Sequence, residues 1–121
     1  VTKPKRKHWF LAAFWIAGGI NHFRVPKIYD AIMPRPLKRW DRELTYASGV
    51  AEIAGGVAVL HPKSRLFGRW WIIATLAGVY PANIQMALNP QRYAKIPAWA
   101  LWVRLPLQFV AAWWAFKATE D

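Results

Sequence analysis

The sequence predicts an all-α fold: an integral membrane four-helix bundle, up-down-up-down, with a short interfacial segment between helices 1 and 2. Three observations predict it. The chain combines 55% apolar residues and 9 Trp with a formal net charge of +11 in only 121 residues. A small domain buries a limited share of its surface, whereas lipid accepts aromatic surface on the outside of a bundle. The apolar residues gather into four stretches, at about 9–23, 44–60, 70–88 and 98–116. The cations gather between those stretches. One domain, 1–121, accommodates all of it.

The first stretch, Trp9 to Phe23, follows the basic flank Lys3, Lys5, Arg6 and Lys7. It has no small-residue cleavage site behind it and reads as a retained helix. It reaches spanning length when Lys7 and Arg24 snorkel to the headgroups. The segment after it holds Pro26, Pro34 and Pro36 with a short apolar patch at Ile28–Met33, which suits an interfacial position and is too short to span. Leu44–Leu60 is the second stretch, opened by Asp41 and Glu43, whose charges suit a helix N-terminus. His61–Gly68 and Asn89–Pro97 are short turns, so the stretches they join are antiparallel neighbours. Trp70–Leu88 and Ala98–Phe116 have full spanning length, roughly 17 to 25 residues. Trp9, Trp40, Trp70, Trp71, Trp99, Trp113 and Trp114 stand near stretch ends, where indoles favour the headgroup level. Lys and Arg divide evenly between the two sides, and the four cations before the first helix place both termini in the cytoplasm.

Polar groups inside the apolar stretches mark the candidate site. Ionisable residues at membrane depth face the bundle interior and find partners there. Glu52 and Arg104 are the two such residues; Ser48, Asn83 and Gln108 add uncharged polarity, and His22 closes the first stretch. Thr45, Ser48, Gly49, Glu52 and Gly56 share one helical face, as do Arg104 and Gln108. Gly49, Gly55 and Gly56 permit close helix approach. Pro81 and Pro106 free the carbonyls of Ala77 and Trp102, which Asn, Gln or Arg donors can meet. The expectation is a buried polar network in which Glu52 and Arg104 interact, directly or through Asn83 or Gln108. Such a network fixes helix register or forms a ligand or proton site.

Other chemistry is less well supported. The chain has no Cys, so disulfides, thiolate metal sites and iron–sulfur clusters are excluded. Two imidazoles at one depth are needed for a bis-His haem; an antiparallel bundle puts His22 on one side and His8 and His61 on the other. No metal ligand set, phosphate loop, paired carboxylates or Ser-His-Asp spacing is present. Basic residues split among connections fit anionic headgroups better than nucleic acid.

The runs Ala17–Phe23 with Pro26, Tyr29 and Ile32–Pro34, then Ser48–Gly56, Tyr80–Leu88 and Arg104–Gln108, together resemble DoxX-like membrane proteins in the same order over nearly the whole chain. The resemblance implies a multi-pass protein of the bacterial inner membrane, with relatives tied to quinol oxidase, sulfur-oxidising and other membrane oxidoreductase systems. It supports fold more than activity. Thiol chemistry of relatives is unavailable to this Cys-free chain. The functional expectation is an accessory or structural subunit of a larger redox or energy-transducing membrane complex, without intrinsic catalytic activity or cofactor. Its partners are other membrane subunits and a bilayer with anionic headgroups. The alternative is a quinone- or lipid-binding component of a membrane oxidoreductase.

Overall fold

The computed structural model describes residues 3–31, 35–89, 91 and 97–120. Among these residues every regular element is helical. Helix α1 is Arg6–Arg24, α2 is Pro26–Ala31, α3 is Asp41–Leu60, α4 is Arg65–Leu88 and α5 is Ala98–Ala118, with a 3₁₀ turn at Arg35–Trp40 before α3. Proline sets several boundaries. The residue before a proline avoids the α region, and α1 ends at Arg24, with Val25 standing before Pro26. Pro26 then opens α2, where its missing N–H is no loss. Pro97 stands before α5 in extended conformation. Pro81 and Pro106 lie inside helices that continue through them.

The four long helices extend past the apolar stretches, because hydropathy marks the apolar middle of a helix while hydrogen bonding runs on into charged flanks. Helix α4 therefore starts at Arg65 rather than Trp70, and α3 at Asp41 rather than Leu44. The interfacial segment becomes α2 and the 3₁₀ turn, with Ile32–Pro34 outside the described residues. Most of the Asn89–Pro97 turn, Lys95 included, also lies outside them. Among the described residues one helix, Arg65–Leu88, is long and apolar enough by itself to cross a membrane.

All neighbouring long helices run antiparallel. Helix α1 packs on α3, α3 on α4 and α4 on α5, and α5 closes against α1. The closest approach is between α1 and α3. A Cβ at Gly19 would stand 2.5 Å from the Gly49 carbonyl oxygen, and one at Gly56 would stand 2.9 Å from that of Ala12. Only glycine allows backbones this near. Two apolar clusters hold the bundle, Leu11, Trp15, Val59, Ile72, Ala115 and Ala118 in one, and Met86, Ala87 and Leu101 in the other. Large apolar side chains also point outward along all four long helices, among them Phe10 and Phe14 of α1, Val50 and Val57 of α3, Phe67 and Trp70 of α4, and Trp99, Phe109 and Trp113 of α5.

Candidate functional site

Between the two clusters is a cavity of about 440 Å³. Helix α1 contributes Phe14, Trp15 and His22 to its wall; α2 contributes Tyr29; α3 contributes Thr45, Ser48 and Glu52. Helix α4 supplies Thr75, Leu76, Val79, Ala82, Asn83 and Met86, and α5 supplies Arg104, Leu107, Gln108 and Ala111. The structure thus brings His22, Ser48, Glu52, Asn83, Arg104 and Gln108 onto one wall system.

Their pairing differs from the expected one. Glu52 meets His22, with its Oε2 at 3.0 Å from Nε2. No ion pair or hydrogen bond joins Glu52 to Arg104, Asn83 or Gln108 among the described residues. The cause is the glycine contact between α1 and α3. A Cβ at Gly49 would meet the His22 Cβ at 2.8 Å, so removing it lets the imidazole settle beside the carboxylate one turn further along α3. Arg104 is held on α5, where its nearest polar contact is the Met86 sulfur at 4.0 Å.

The His22 geometry locates a proton. Nδ1 lies 2.8 Å from the Gly18 carbonyl oxygen, which only accepts, so Nδ1 carries hydrogen. Nε2 and the Glu52 carboxyl oxygen then share one further proton, as imidazolium with carboxylate or as imidazole with carboxylic acid. Tyr29 stacks on the imidazole at 3.8 Å between ring centroids. Burial, then the charge of Glu52, raises the Tyr29 phenol above its ordinary pKa, so it stays a hydrogen-bond donor. The Arg104 charge acts on the phenol in the opposite direction and is outweighed.

Helix α2 is clipped in place by Asp30. Its carboxylate accepts from Arg42 Nε at 2.8 Å and Thr45 Oγ1 at 2.7 Å. Partial desolvation pushes the carboxyl up, but these hydrogen bonds and the Arg42 charge outweigh it and hold Asp30 below the usual carboxylate range.

Three buried polar atoms on the cavity wall have no hydrogen-bond partner among the described residues: Trp15 Nε1, Asn83 Nδ2 and Gln108 Oε1. Asn83 and Trp15 are each 5% exposed. The Asn83 donor therefore does not meet a carbonyl freed by Pro81. A buried group left unsatisfied costs about 1–3 kcal/mol, and all three belong to residues that line the one cavity, where a small side-chain rotation would offer them to a bound polar partner. Sequence spacing pointed to Glu52, Arg104 and Gln108 through their faces; Trp15 and Tyr29 carried no such signal, since an indole in an apolar run and a tyrosine in a Pro-rich connection have many other roles. No cluster of three or more His, Asp or Glu that would hold a metal occurs among the described residues.

Neither a curated protein nor a solved structure matches the chain. A family model described as a domain of unknown function, DUF8561, matches residues 11–119. That span contains every residue of the cavity wall, and the chain belongs to the DUF8561 family.

Proposed function

We propose that the protein is a multi-pass membrane protein that binds one amphipathic small molecule, a quinone or a lipid, in the cavity between its four long helices. One observation carries the reading: Trp15, Asn83 and Gln108, each with a buried polar atom that has no partner among the described residues, and Arg104 line one cavity together with Phe14, Leu76, Val79 and Leu107. Pockets for small molecules typically measure about 300–1,000 Å³ and pair an apolar wall with a few placed polar groups. An apolar ring or chain fits the first part. Carbonyl, phenol or acyl oxygens fit the second, accepting from Arg104 and Asn83 or donating to Gln108. The His22–Glu52 pair adds a group able to give or take one proton at the opposite wall.

The membrane setting rests on two supports. At 1.5 Å per residue the four long helices measure about 28 to 36 Å, close to the ~30 Å of a hydrocarbon core. Many of their outward residues are large and apolar or aromatic, a surface that lipid solvates without penalty, while exposed charges such as Arg6, Arg24, Arg42 and Glu43 stand near helix ends. The likeness to DoxX-like proteins adds the bacterial inner membrane and a redox setting, and the basic N-terminal flank adds cytoplasmic termini. An accessory role within a larger membrane assembly is the second reading, favoured by the outward Trp99, Trp102 and Trp113 along one helix. The two are compatible in a ligand-holding subunit.

Purification in mild detergent, solvent extraction and mass spectrometry test the reading. The wild-type chain should retain a quinone or lipid near one per chain, and Arg104→Leu should lose it while keeping its helix content. A wild-type extract without such a molecule, together with no stabilisation by added short-tailed quinone or phospholipid, would contradict it. Proteins recovered at fixed stoichiometry in the same preparation would identify the assembly.

A further inference from the structure

The far end of the bundle, where α1 and α4 begin and α5 ends, holds a second cavity of about 440 Å³. Its polar wall consists of Lys3, Lys5, His8, Arg65, Arg69 and Thr119, and no described carboxylate residue lines it. The two arginines do different work. Arg65 donates from Nε to the Val59 carbonyl at 2.9 Å and from Nη2 to that of Leu60, and so satisfies the C-terminal end of α3. Arg69 is held from one edge only. Its Nε donates to Thr119 Oγ1 at 2.7 Å, and its guanidinium lies 4.2 Å from the Phe116 ring centroid. The residue is 9% exposed, yet its two terminal amino groups have no hydrogen-bond partner among the described residues.

Two of the helix ends here, those of α1 and α4, are N-termini, set against the C-terminal ends of α3, which Arg65 meets, and of α5. A helix N-terminus favours anions, yet the first turns of α1 and α4 contain no acidic residue. Ser64, at the N-cap of α4, turns its hydroxyl away to the Ala58 carbonyl, so its side chain leaves the first-turn N–H groups uncapped. Arg65 and Leu66 of that turn line the cavity. The nearby Glu120 carboxylate is 3.7 Å from Lys117, on another side chain's account. Two positive helix ends, two lysines and a fixed, half-used guanidinium therefore surround one space. A tetrahedral oxyanion is the ligand that satisfies them together, since an Arg fork and backbone N–H groups both match phosphate oxygens.

We propose that this cavity binds a phosphate-class oxyanion, supplied by the headgroup of an anionic phospholipid or by a free phosphate compound. The site is separate from the His22–Glu52 cavity, so either proposal can fail without the other. The test uses the full chain in detergent, titrated with inorganic phosphate at constant ionic strength and, separately, with short-chain phosphatidylglycerol or phosphatidylcholine. Thermal stability and native mass spectrometry report binding. Phosphate or the anionic lipid should bind, and Arg69→Gln should weaken binding about tenfold, the loss of one charge-assisted hydrogen-bond pair. Arg69→Lys keeps the charge without the fork and should fall between. Lys3→Gln with Lys5→Gln alters only exposed side chains and should also weaken binding, which keeps the test valid if Arg69→Gln fails to fold. Saturation by the lipid with competition from phosphate identifies the headgroup as the source; phosphate binding indifferent to the lipid identifies a soluble anion. Equal binding of both lipids with no phosphate effect, or wild-type affinity in the lysine variant, would overturn the proposal.

Discussion

At the scale of residues, the titratable groups His22 and Glu52 meet in a mostly buried pair 3.0 Å apart. Their side chains are 10% and 19% exposed, so removing one partner leaves the other buried without its counterpart. Breaking such a pair costs about 3 kcal/mol. His22→Ala should lower stability by that order, and adding Glu52→Gln should recover part of the loss. The cycle that pairs Glu52→Gln with Arg104→Gln should instead be nearly additive, because the two residues do not touch; thermal unfolding in detergent measures both, and strong coupling of Glu52 to Arg104 would contradict the geometry. Asp30 supplies a pH dependence. Its folded-state pKa is lowered, so its contribution is present above the ordinary carboxylate range and is lost as pH falls through the lowered value. Amide hydrogen exchange in α2 should therefore stay protected down to that range and rise below it, and Asp30→Asn should exchange fast throughout. Loss of protection near neutral pH would assign the clip to another group. The sequence made Glu52 and Arg104 legible as buried charges but not as partners. Which of two cations a carboxylate meets depends on helix rotation, and here His22, at the end of its stretch, reaches Glu52 through a glycine contact.

At the scale of elements, the α1–α3 contact is the narrowest in the bundle and the most sensitive to volume. A methyl at Gly19 would stand 2.5 Å from the Gly49 carbonyl oxygen and 2.6 Å from the Ile53 Cγ1; the side chain can turn aside, but the carbonyl is backbone and has no rotamer to yield. Gly19→Ala should destabilise by about 1–3 kcal/mol, the range for overpacking, and should loosen the His22–Glu52 contact with it. Gly78 is the matched control. Beyond its chain neighbours and its own helix backbone, no described atom lies within 4 Å of a Cβ built there, so Gly78→Ala should be tolerated and gain up to about 1 kcal/mol of helix propensity. Equal loss from both substitutions in a thermal unfolding series would place the effect in the helices rather than in their contact. The glycines of α3 were legible as a packing face from spacing. The close partner at Gly19 was not singled out, because Gly18 and Gly19 sit in a run where either could face α3. The apolar stretches gave the four long helices in order, while their ends moved by up to five residues at the charged flanks, where hydropathy is silent about hydrogen bonding.

At the scale of the whole molecule, two packed apolar clusters stand on either side of a cavity. A bundle designed only to fix helix register would close its polar network. Among the described residues this one leaves two donors and an acceptor without protein partners, and a guanidinium whose hydrogen bond goes only to a methionine sulfur, on residues around a single space. Topology follows from the proposed membrane setting: reporter fusions at Lys38 and Lys63 should fall on opposite sides, with Lys63 cytoplasmic, and the same side for both would remove the α3 span. The most direct test of the central claim is photolabelling of the protein, reconstituted in lipid bilayers, with a photoactivatable short-tailed quinone and, in parallel, a photoactivatable phospholipid, followed by peptide mapping. One of the two should label cavity-wall segments of α1, α4 and α5 near Trp15, Asn83 and Leu107, saturate near one per chain, be displaced by its unlabelled counterpart, and be lost in Arg104→Leu. Labelling by both probes confined to the outward Trp and Phe residues, undisplaced and unchanged in that variant, would contradict it.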